Sequence, residues 1–349
     1  MGKTVYFLGA GATKAVCNTA PLNEDLVRKA LNYYQQKTEA KEIWEFIEEI
    51  YKPRGEGTLG VDNKVWNLLD YIIQQGRSAS HKYSFEKICN MRNNLLSFVI
   101  SYFEQALQEV DKAVFRSFIS TIKRFHPTII STNYDIIVDN VLCEFKSLNY
   151  GAKIRYAVRA DDVVEKDKVK VCGFNRPWEY MQYDYLNTGP VQLLKIHGSL
   201  NWIYCRKCDE VDLTIWQKGC KATLTGIDCH NKCCTNKYEP LLITPTMFKN
   251  YENRFIKETW NNAEKALVEA DELVFIGYSL KEEDYQIRCL LMNALFNKPK
   301  SYDRVVVIDK NPASEDDLKF LADIEKEYKK LYRNVDFKAI GFKEYVKSI

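Results

Sequence analysis

With 349 residues, 46% of them hydrophobic and 28% charged, the chain can bury at least one large core and carry an insertion, which excludes intrinsic disorder. Its 50 basic and 47 acidic residues are interspersed and leave a net charge of only +3, so charge gives no reason to expect direct nucleic-acid binding. No run approaches the ~18 to 20 apolar residues of a membrane helix, and the N-terminal run is too short for a secretory signal; a cytoplasmic protein with reduced cysteines is expected.

Thr4-Val5-Tyr6-Phe7-Leu8 reads as a short buried strand that ends in Gly9-Ala10-Gly11-Ala12, where a helix can begin. From about Leu22 to Phe125 the pattern is helical, as in Leu95, Leu96, Val99, Ile100 and Phe103. Pro53 to Gly57 and Gly76 to His81 interrupt it as turns. After Pro127 the pattern changes to strands at Thr128–Ser131, Val191–Ile196, Leu241–Thr244, Leu273–Ile276 and Val305–Ile308. Nearly continuous apolar strands separated by helices require a parallel sheet covered on both faces. A helix from Leu318 to Leu331 and a strand at Val335–Phe337 complete the core. The expected fold is therefore α/β: a Rossmann-like, doubly wound parallel sheet spanning residues 1–349, with a helical insertion at 22–125 and a small cysteine-rich module at 202–240.

In open α/β sheets ligands bind beyond the carboxyl ends of the strands. Gly9-Ala10-Gly11-Ala12-Thr13-Lys14 lies at the first such end, and small residues there let backbone N–H groups approach a phosphate. The third glycine of the dinucleotide fingerprint is replaced by Lys14, so the segment reads equally as a tight strand-to-helix turn. Thr132-Asn133-Tyr134-Asp135 follows the next strand, where Asn and Asp also serve as turn and cap residues. His197-Gly198-Ser199, Gly277-Tyr278-Ser279 and Asp309-Lys310-Asn311 follow later strands. Five polar segments thus share one edge.

Six of the eleven cysteines are clustered, and a cluster in a cytoplasmic chain asks for a metal. Cys205 and Cys208 form a C-x2-C pair; Cys229 with Cys233 or Cys234 offers a second, and Cys220 and His230 are spare donors. Four thiolates would saturate a tetrahedral zinc ion and make the site structural. The remaining cysteines, Cys17, Cys89, Cys143, Cys172 and Cys289, read as small core residues.

The order of these segments resembles the sirtuin (silent information regulator) superfamily, and within it the divergent prokaryotic branch associated with anti-phage defence. The resemblance rests on Gly9-Ala10-Gly11-Ala12, Thr132-Asn133-Tyr134-Asp135, His197-Gly198-Ser199, the cysteine pairs, Gly277-Tyr278-Ser279 and Ile308-Asp309. It implies that Gly9, Ala10, Gly11, Ala12, Thr132, Gly277, Ser279 and Asp309 line a site for NAD⁺, with Asp309 at the adenine ribose. It further implies that Asn133 and Asp135 hold the nicotinamide, its ribose and the attacking water, and that His197 contacts the ribose hydroxyls as general base.

Departures from the family pattern shape the expected activity. Deacylating sirtuins follow the glycine turn with a proline-aspartate-phenylalanine-arginine segment, whereas this chain reads Cys17-Asn18-Thr19-Ala20-Pro21-Leu22-Asn23-Glu24-Asp25-Leu26. No match to their acyl-lysine strand is evident. The expectation is an NAD⁺ hydrolase releasing nicotinamide and ADP-ribose, which would deplete NAD⁺ in anti-phage defence; the alternatives are a protein deacylase and a noncatalytic NAD or ADP-ribose sensor. The resemblance also implies a homo-oligomer and a separate partner such as a ring-forming ATPase.

Overall fold

The computed structural model describes residues 2–23, 25–51, 61–151, 189–213, 220, 223, 226–229, 233–248, 251–281 and 284–349. Cys172, His230 and the Pro53 to Gly57 break lie outside them.

The first strand, β1 (Thr4–Leu8), is the hub of a parallel sheet. On one side it pairs with β2 (Thr128–Ser131), which pairs with β4 (Val191–Lys195) and then β3 (Leu148–Asn149). On the other side lie β8 (Glu272–Ile276), β9 (Arg304–Ile308) and β10 (Asp336–Lys338). The order is β10-β9-β8-β1-β2-β4-β3, and every pairing is parallel.

The central strands are apolar because helices cover both faces. Val5, Phe7, Ile130, Leu194, Leu273, Phe275, Val305 and Val307 join one buried cluster with Leu267, Leu291, Ile324 and Tyr328. These last four come from helices Arg254–Glu269, Tyr285–Asn297 and Glu315–Leu331. Ser314 caps the last of these, its hydroxyl accepting from the Asp317 N–H at 3.2 Å, and three acidic residues occupy its first turn. The chain works outward from β1 on one side, then returns to build β8, β9 and β10 on the other, so the strand order reverses beside β1. That reversal is where an open α/β sheet leaves a crevice.

One strand differs from the expectation. The apolar run at Leu241–Thr244 contributes β7 (Glu239–Leu242), which lies in a separate three-stranded sheet, not in the parallel one. It pairs antiparallel with β5 (Gly198–Cys205), whose other neighbour is the antiparallel β6 (Glu210–Leu213). The reason is the connection. β5 and β6 form a hairpin directly after β4, and β7 takes the free side of β5 antiparallel, which keeps all three strands in one small sheet apart from the parallel one.

The chain divides into two compact units. The unit with the sheets comprises 2–18, 110–242 and 251–349; the other comprises 19–109 with 243–250. Helix Ala113–Ile122 belongs to the sheet unit, where Phe118 meets Tyr6 edge to face at 5.0 Å. The second unit packs helices Leu26–Tyr33, Thr38–Tyr51, Val61–Gln74 and Phe85–Ala106. Leu31, Phe46, Trp66, Leu69, Ile88 and Leu95 are fully buried in it. Gly76, at φ +63°, occupies the turn between its last two helices. Residues 243–248 are tied to this unit by Asn67, whose Oδ1 accepts from the Thr246 hydroxyl at 3.0 Å and the Met247 N–H at 2.5 Å.

Candidate functional site

The five polar segments follow five neighbouring strands in the order β9, β8, β1, β2, β4. At roughly 4.8 Å per strand they span about 19 Å along the carboxyl edge.

The two glycine turns meet at the point of strand reversal. The Gly9 N–H donates to the Ile276 carbonyl at 3.0 Å, the Gly11 N–H to Gly277 at 2.9 Å, and the Gly277 N–H to Ile308 at 2.9 Å. A Cβ on Gly9 would lie 2.4 Å from the Gly277 oxygen, and one on Gly277 would lie 2.4 Å from the Ala12 nitrogen. Gly277 also has φ +60°. Backbone approach between the turns therefore accounts for the glycines by itself. It also brings Gly9, Ala10, Gly11 and Ala12 against Gly277 and Tyr278, with Ser279 half-buried beyond them.

Beside this junction, the loop after β2 is fixed at several points. Asn133 donates from Nδ2 to the Gly9 carbonyl at 2.8 Å and to the Thr13 hydroxyl at 3.0 Å. A carbonyl can only accept, so the facing atom must be the amide nitrogen and the side-chain orientation is determined. Both Nδ2 hydrogens are thereby engaged. Thr13 passes its own hydrogen to Asp135 Oδ2 at 2.6 Å, while Asp135 Oδ1 accepts from the Ile137 N–H at 3.0 Å. Asp135 is buried with both oxygens bonded inside the fold. Burial pushes its carboxyl above the ordinary value, against the pull of the Lys195 ammonium and the hydrogen bonds from Thr13 and Ile137. Thr132 closes the turn, its N–H and hydroxyl both donating to the Leu8 carbonyl, at 3.1 and 3.3 Å.

His197 follows the adjacent strand. Ser131 and Lys195 are register partners, so Asn133 and His197 each lie two residues beyond one paired couple. The histidine is buried, and the turn after it is fixed. Gly198 has φ +78°, with a hypothetical Cβ 2.1 Å from the Leu241 oxygen. The Leu200 N–H donates to the Tyr134 carbonyl at 2.9 Å, tying the two loops together. Trp260 Nε1 donates to the Ile196 carbonyl at 2.8 Å, just before the histidine.

At the far end, Asp309 follows β9. Its N–H donates to the Lys338 carbonyl at 3.1 Å, its carbonyl accepts from Gly341 at 2.7 Å, and its carboxylate accepts from the Lys310 N–H at 2.8 Å. Burial raises its pKa. Two groups that the sequence reading did not single out, Thr13 and Lys195, anchor the Asn133 loop. A charged residue inside an apolar strand was the signal for Lys195; Thr13 is 120 residues from Asn133 and gave none.

The cysteine cluster resolves to Cys205, Cys208, Cys229 and Cys234, whose sulfurs all lie within 4.8 Å of one another. Cys233, the other candidate for the last position, is exposed and outside the group, and Cys220 instead donates to the Ser199 and Trp202 carbonyls. Two local turns build the site. Cys205 ends β5 and Cys208 follows in its hairpin, where Asp209 has φ +51°. Cys229 and Cys234 lie where residues 227–229 and 236–238 run antiparallel, the Cys229 N–H donating to the Asn236 carbonyl at 2.9 Å and the Tyr238 N–H to the Ile227 carbonyl at 2.8 Å.

The Cys205–Cys234 and Cys208–Cys229 sulfurs are 3.6 and 3.7 Å apart. That is too long for disulfides and close to the edge, about 3.8 Å, of a tetrahedron of sulfurs around zinc. Burial and the neighbouring sulfurs push the Cys208 thiol up to about 12, whereas the Asn236 N–H holds Cys234 down. Four crowded thiols cannot all ionise without a cation among them. The donor set fits a tetrahedral metal ion with no open position. Of the other described cysteines, only Cys17 is fully buried; Cys89, Cys143 and Cys289 are partly exposed.

A family model described as the SIR2-like domain matches residues 127–329, more than half of the chain. Among solved structures, Sir2Tm bound to a propionylated peptide is 8% identical, with 99% of this chain and 91% of that chain covered and a TM-score of 0.44. A Sir2–p53 peptide–NAD⁺ complex is 8% identical with the same coverage and a TM-score of 0.45. A structure described under the mechanism and regulation of Sir2 enzymes is 13% identical, with coverage of 95% and 94% and a TM-score of 0.39. No curated protein sequence matches the chain.

Proposed function

This chain belongs to the SIR2-like domain family, and from that premise we propose that it is an NAD⁺ hydrolase, cleaving the nicotinamide–ribose bond to release nicotinamide and ADP-ribose. The observation that carries this reading is the fixed amide of Asn133. Its two N–H groups are committed to Gly9 and Thr13, which leaves Oδ1 as its remaining polar function, held at a strand end beside the His197 loop.

An amide oxygen is too weak a base to deprotonate water. It can accept one water hydrogen and so aim the lone pair at the ribose carbon. That suffices when the leaving group does most of the bond breaking, as nicotinamide does by becoming neutral on departure. The ribose then carries developing positive charge, and His197 holds or moves a proton at its hydroxyls or at the water. Asp135 acts through Thr13 as a positioning group, since both its oxygens are occupied. In this reading the interlocked turns, with Gly9, Ala10, Gly11, Ala12, Thr132, Gly277 and Ser279, face the pyrophosphate, and Asp309 accepts from the adenine ribose, four strands from His197.

The absence of the deacylase segment after the glycine turn favours water over an acyl oxygen as acceptor. Zinc at Cys205, Cys208, Cys229 and Cys234 is structural, because four thiolates leave it no site for water. We assign the activity to depletion of NAD⁺ in anti-phage defence, in a cytoplasmic homo-oligomer restrained until a partner, such as a ring-forming ATPase, releases it.

The test is incubation of the purified protein with NAD⁺, alone and with its genomic neighbour, followed by product identification. Nicotinamide with ADP-ribose is expected. Acyl-ADP-ribose formed only with an acylated peptide would make it a deacylase, and tight NAD⁺ binding without turnover in either condition would make it a sensor.

A further inference from the structure

Lys195 is the last residue of β4 and only 1% of it is exposed. An ammonium in that position is costly unless its charge and its donors are matched. Its Nζ donates to the Asp135 carbonyl and lies 3.2 Å from Asp139 Oδ2. The other oxygen of Asp139 accepts from the Tyr150 hydroxyl at 2.5 Å, and Tyr150 is itself buried. Asp139 stands in the first turn of helix Ile137–Glu144, where the helix favours a negative charge.

The location of this pair is more informative than its existence. The lysine precedes His197 by two residues, and its ammonium grips the backbone of Asp135, two residues after Asn133. One buried cation therefore bears on both strand-end loops. Without it the 132–136 loop would keep its ties to Leu8, Gly9, Thr13, Ser131, Ile137, Ser199 and Leu200, but the Asp135 carbonyl would lose its anchor to β4.

We propose that Lys195 is a positioning residue: paired with Asp139 and bonded to the Asp135 carbonyl, it sets the placement of the Asn133 amide relative to His197. The role rests on the hydrolase reading above. Neither Lys195 nor Asp139 is taken to touch NAD⁺. Their effect is to keep the water that Asn133 orients in line with the ribose carbon, and a displacement of about 1 Å in such an arrangement costs on the order of 100-fold in rate.

Removing the lysine alone strands Asp139 and confounds misfolding with misplacement. The informative variant replaces the whole polar set at once, Lys195→Met with Asp139→Leu and Tyr150→Phe, because an apolar substitute for a buried ion pair restores stability without restoring the grip on Asp135. A second variant, Lys195→Arg, keeps the charge pair but changes the reach. Both are compared with wild type by thermal unfolding, kcat and KM for nicotinamide release. Expected are unfolding midpoints near wild type, KM within about twofold and kcat lower by about 10- to 100-fold in the triple variant, with a smaller fall in Lys195→Arg. A folded triple variant with wild-type kcat overturns the proposal; should that variant not fold, wild-type kcat in Lys195→Arg does so. A wild-type protein that turns over NAD⁺ under no condition sinks the hydrolase reading, and this role with it.

Discussion

The cysteine module and the Asn133 edge both hold polar groups at fixed separations, but by different means. The module is local: Cys205 and Cys208 at the end of β5, and Cys229 and Cys234 beside the antiparallel residues 227–229 and 236–238, present two sulfurs apiece, and among the described residues only a handful of buried side chains surround them. The Asn133 edge is assembled from afar, with Gly9 and Thr13 contributed by β1 and its turn and Lys195 by β4, at sequence separations of 124, 120 and 60 residues. Under the zinc reading, a site built locally on so small a described core takes its order from the ion. A site built on the paired central strands of a sheet keeps its backbone when one polar atom is removed. Perturbing the module should therefore cost folding, and removing a polar side chain from the edge should cost chemistry.

The largest stability effect should come from Cys205→Ser. It removes a ligand from the 205–208–229–234 set, and bound zinc measured by metal analysis should fall from about one per chain to well below it. Structural zinc contributes folding free energy directly, so a fall in unfolding midpoint on the order of 10 °C is expected. Unchanged zinc content would break the comparison.

Gly277→Ala comes next. A Cβ 2.4 Å from the Ala12 nitrogen, at φ +60°, must push two backbones apart. A loss of about 2 to 4 kcal/mol is expected in denaturant unfolding. No change would mean that the two glycine turns do not interlock.

A smaller effect concerns pH. Burial raises the Asp135 pKa, so the folded protein holds this proton more tightly than the unfolded chain. The associated stability is complete below about pH 3.9 and is lost as pH rises through the folded value. The proposed hydrolase reaction calls for the opposite form, the carboxylate that accepts from Thr13. Comparison with Asp135→Asn across pH isolates the group: wild type relative to the variant should lose stability with rising pH while its own activity rises. Parallel stability curves would remove Asp135 from the account. The smallest effect is Cys233→Ser, with zinc content unchanged, because this sulfur is exposed and outside the cluster; loss of zinc there would reassign the second cysteine pair.

The same contrast explains what was legible in the sequence. The first cysteine pair is a fixed local spacing and reads directly, whereas spacing does not separate adjacent Cys233 and Cys234, of which the fold brings only Cys234 into the sulfur group. The parallel sheet follows from apolar runs separated by helices, and the Leu241 run reads with them because an apolar run does not state which sheet it joins. The polar strand ends were visible as residues, but not the bonds between them. Thr13 lies too far from Asn133 to be paired by inspection, and Lys195 within Leu193-Leu194-Lys195-Ile196 passed as part of a strand although a lysine buried on both faces must have a counter-charge. The glycines drew attention as a phosphate turn, yet Gly277 supplies a steric reason for them that needs no ligand.

The central claim is tested most directly by measuring nicotinamide release from NAD⁺ by wild type and Asn133→Ala, alone and with the genomic neighbour, with His197→Ala in parallel and thermal unfolding of all three. Wild type should yield nicotinamide and ADP-ribose in equal amounts, and each variant should be slower by at least about 100-fold with its unfolding midpoint preserved. An Asn133→Ala protein that is folded and as active as wild type would contradict the assignment of water orientation to this edge.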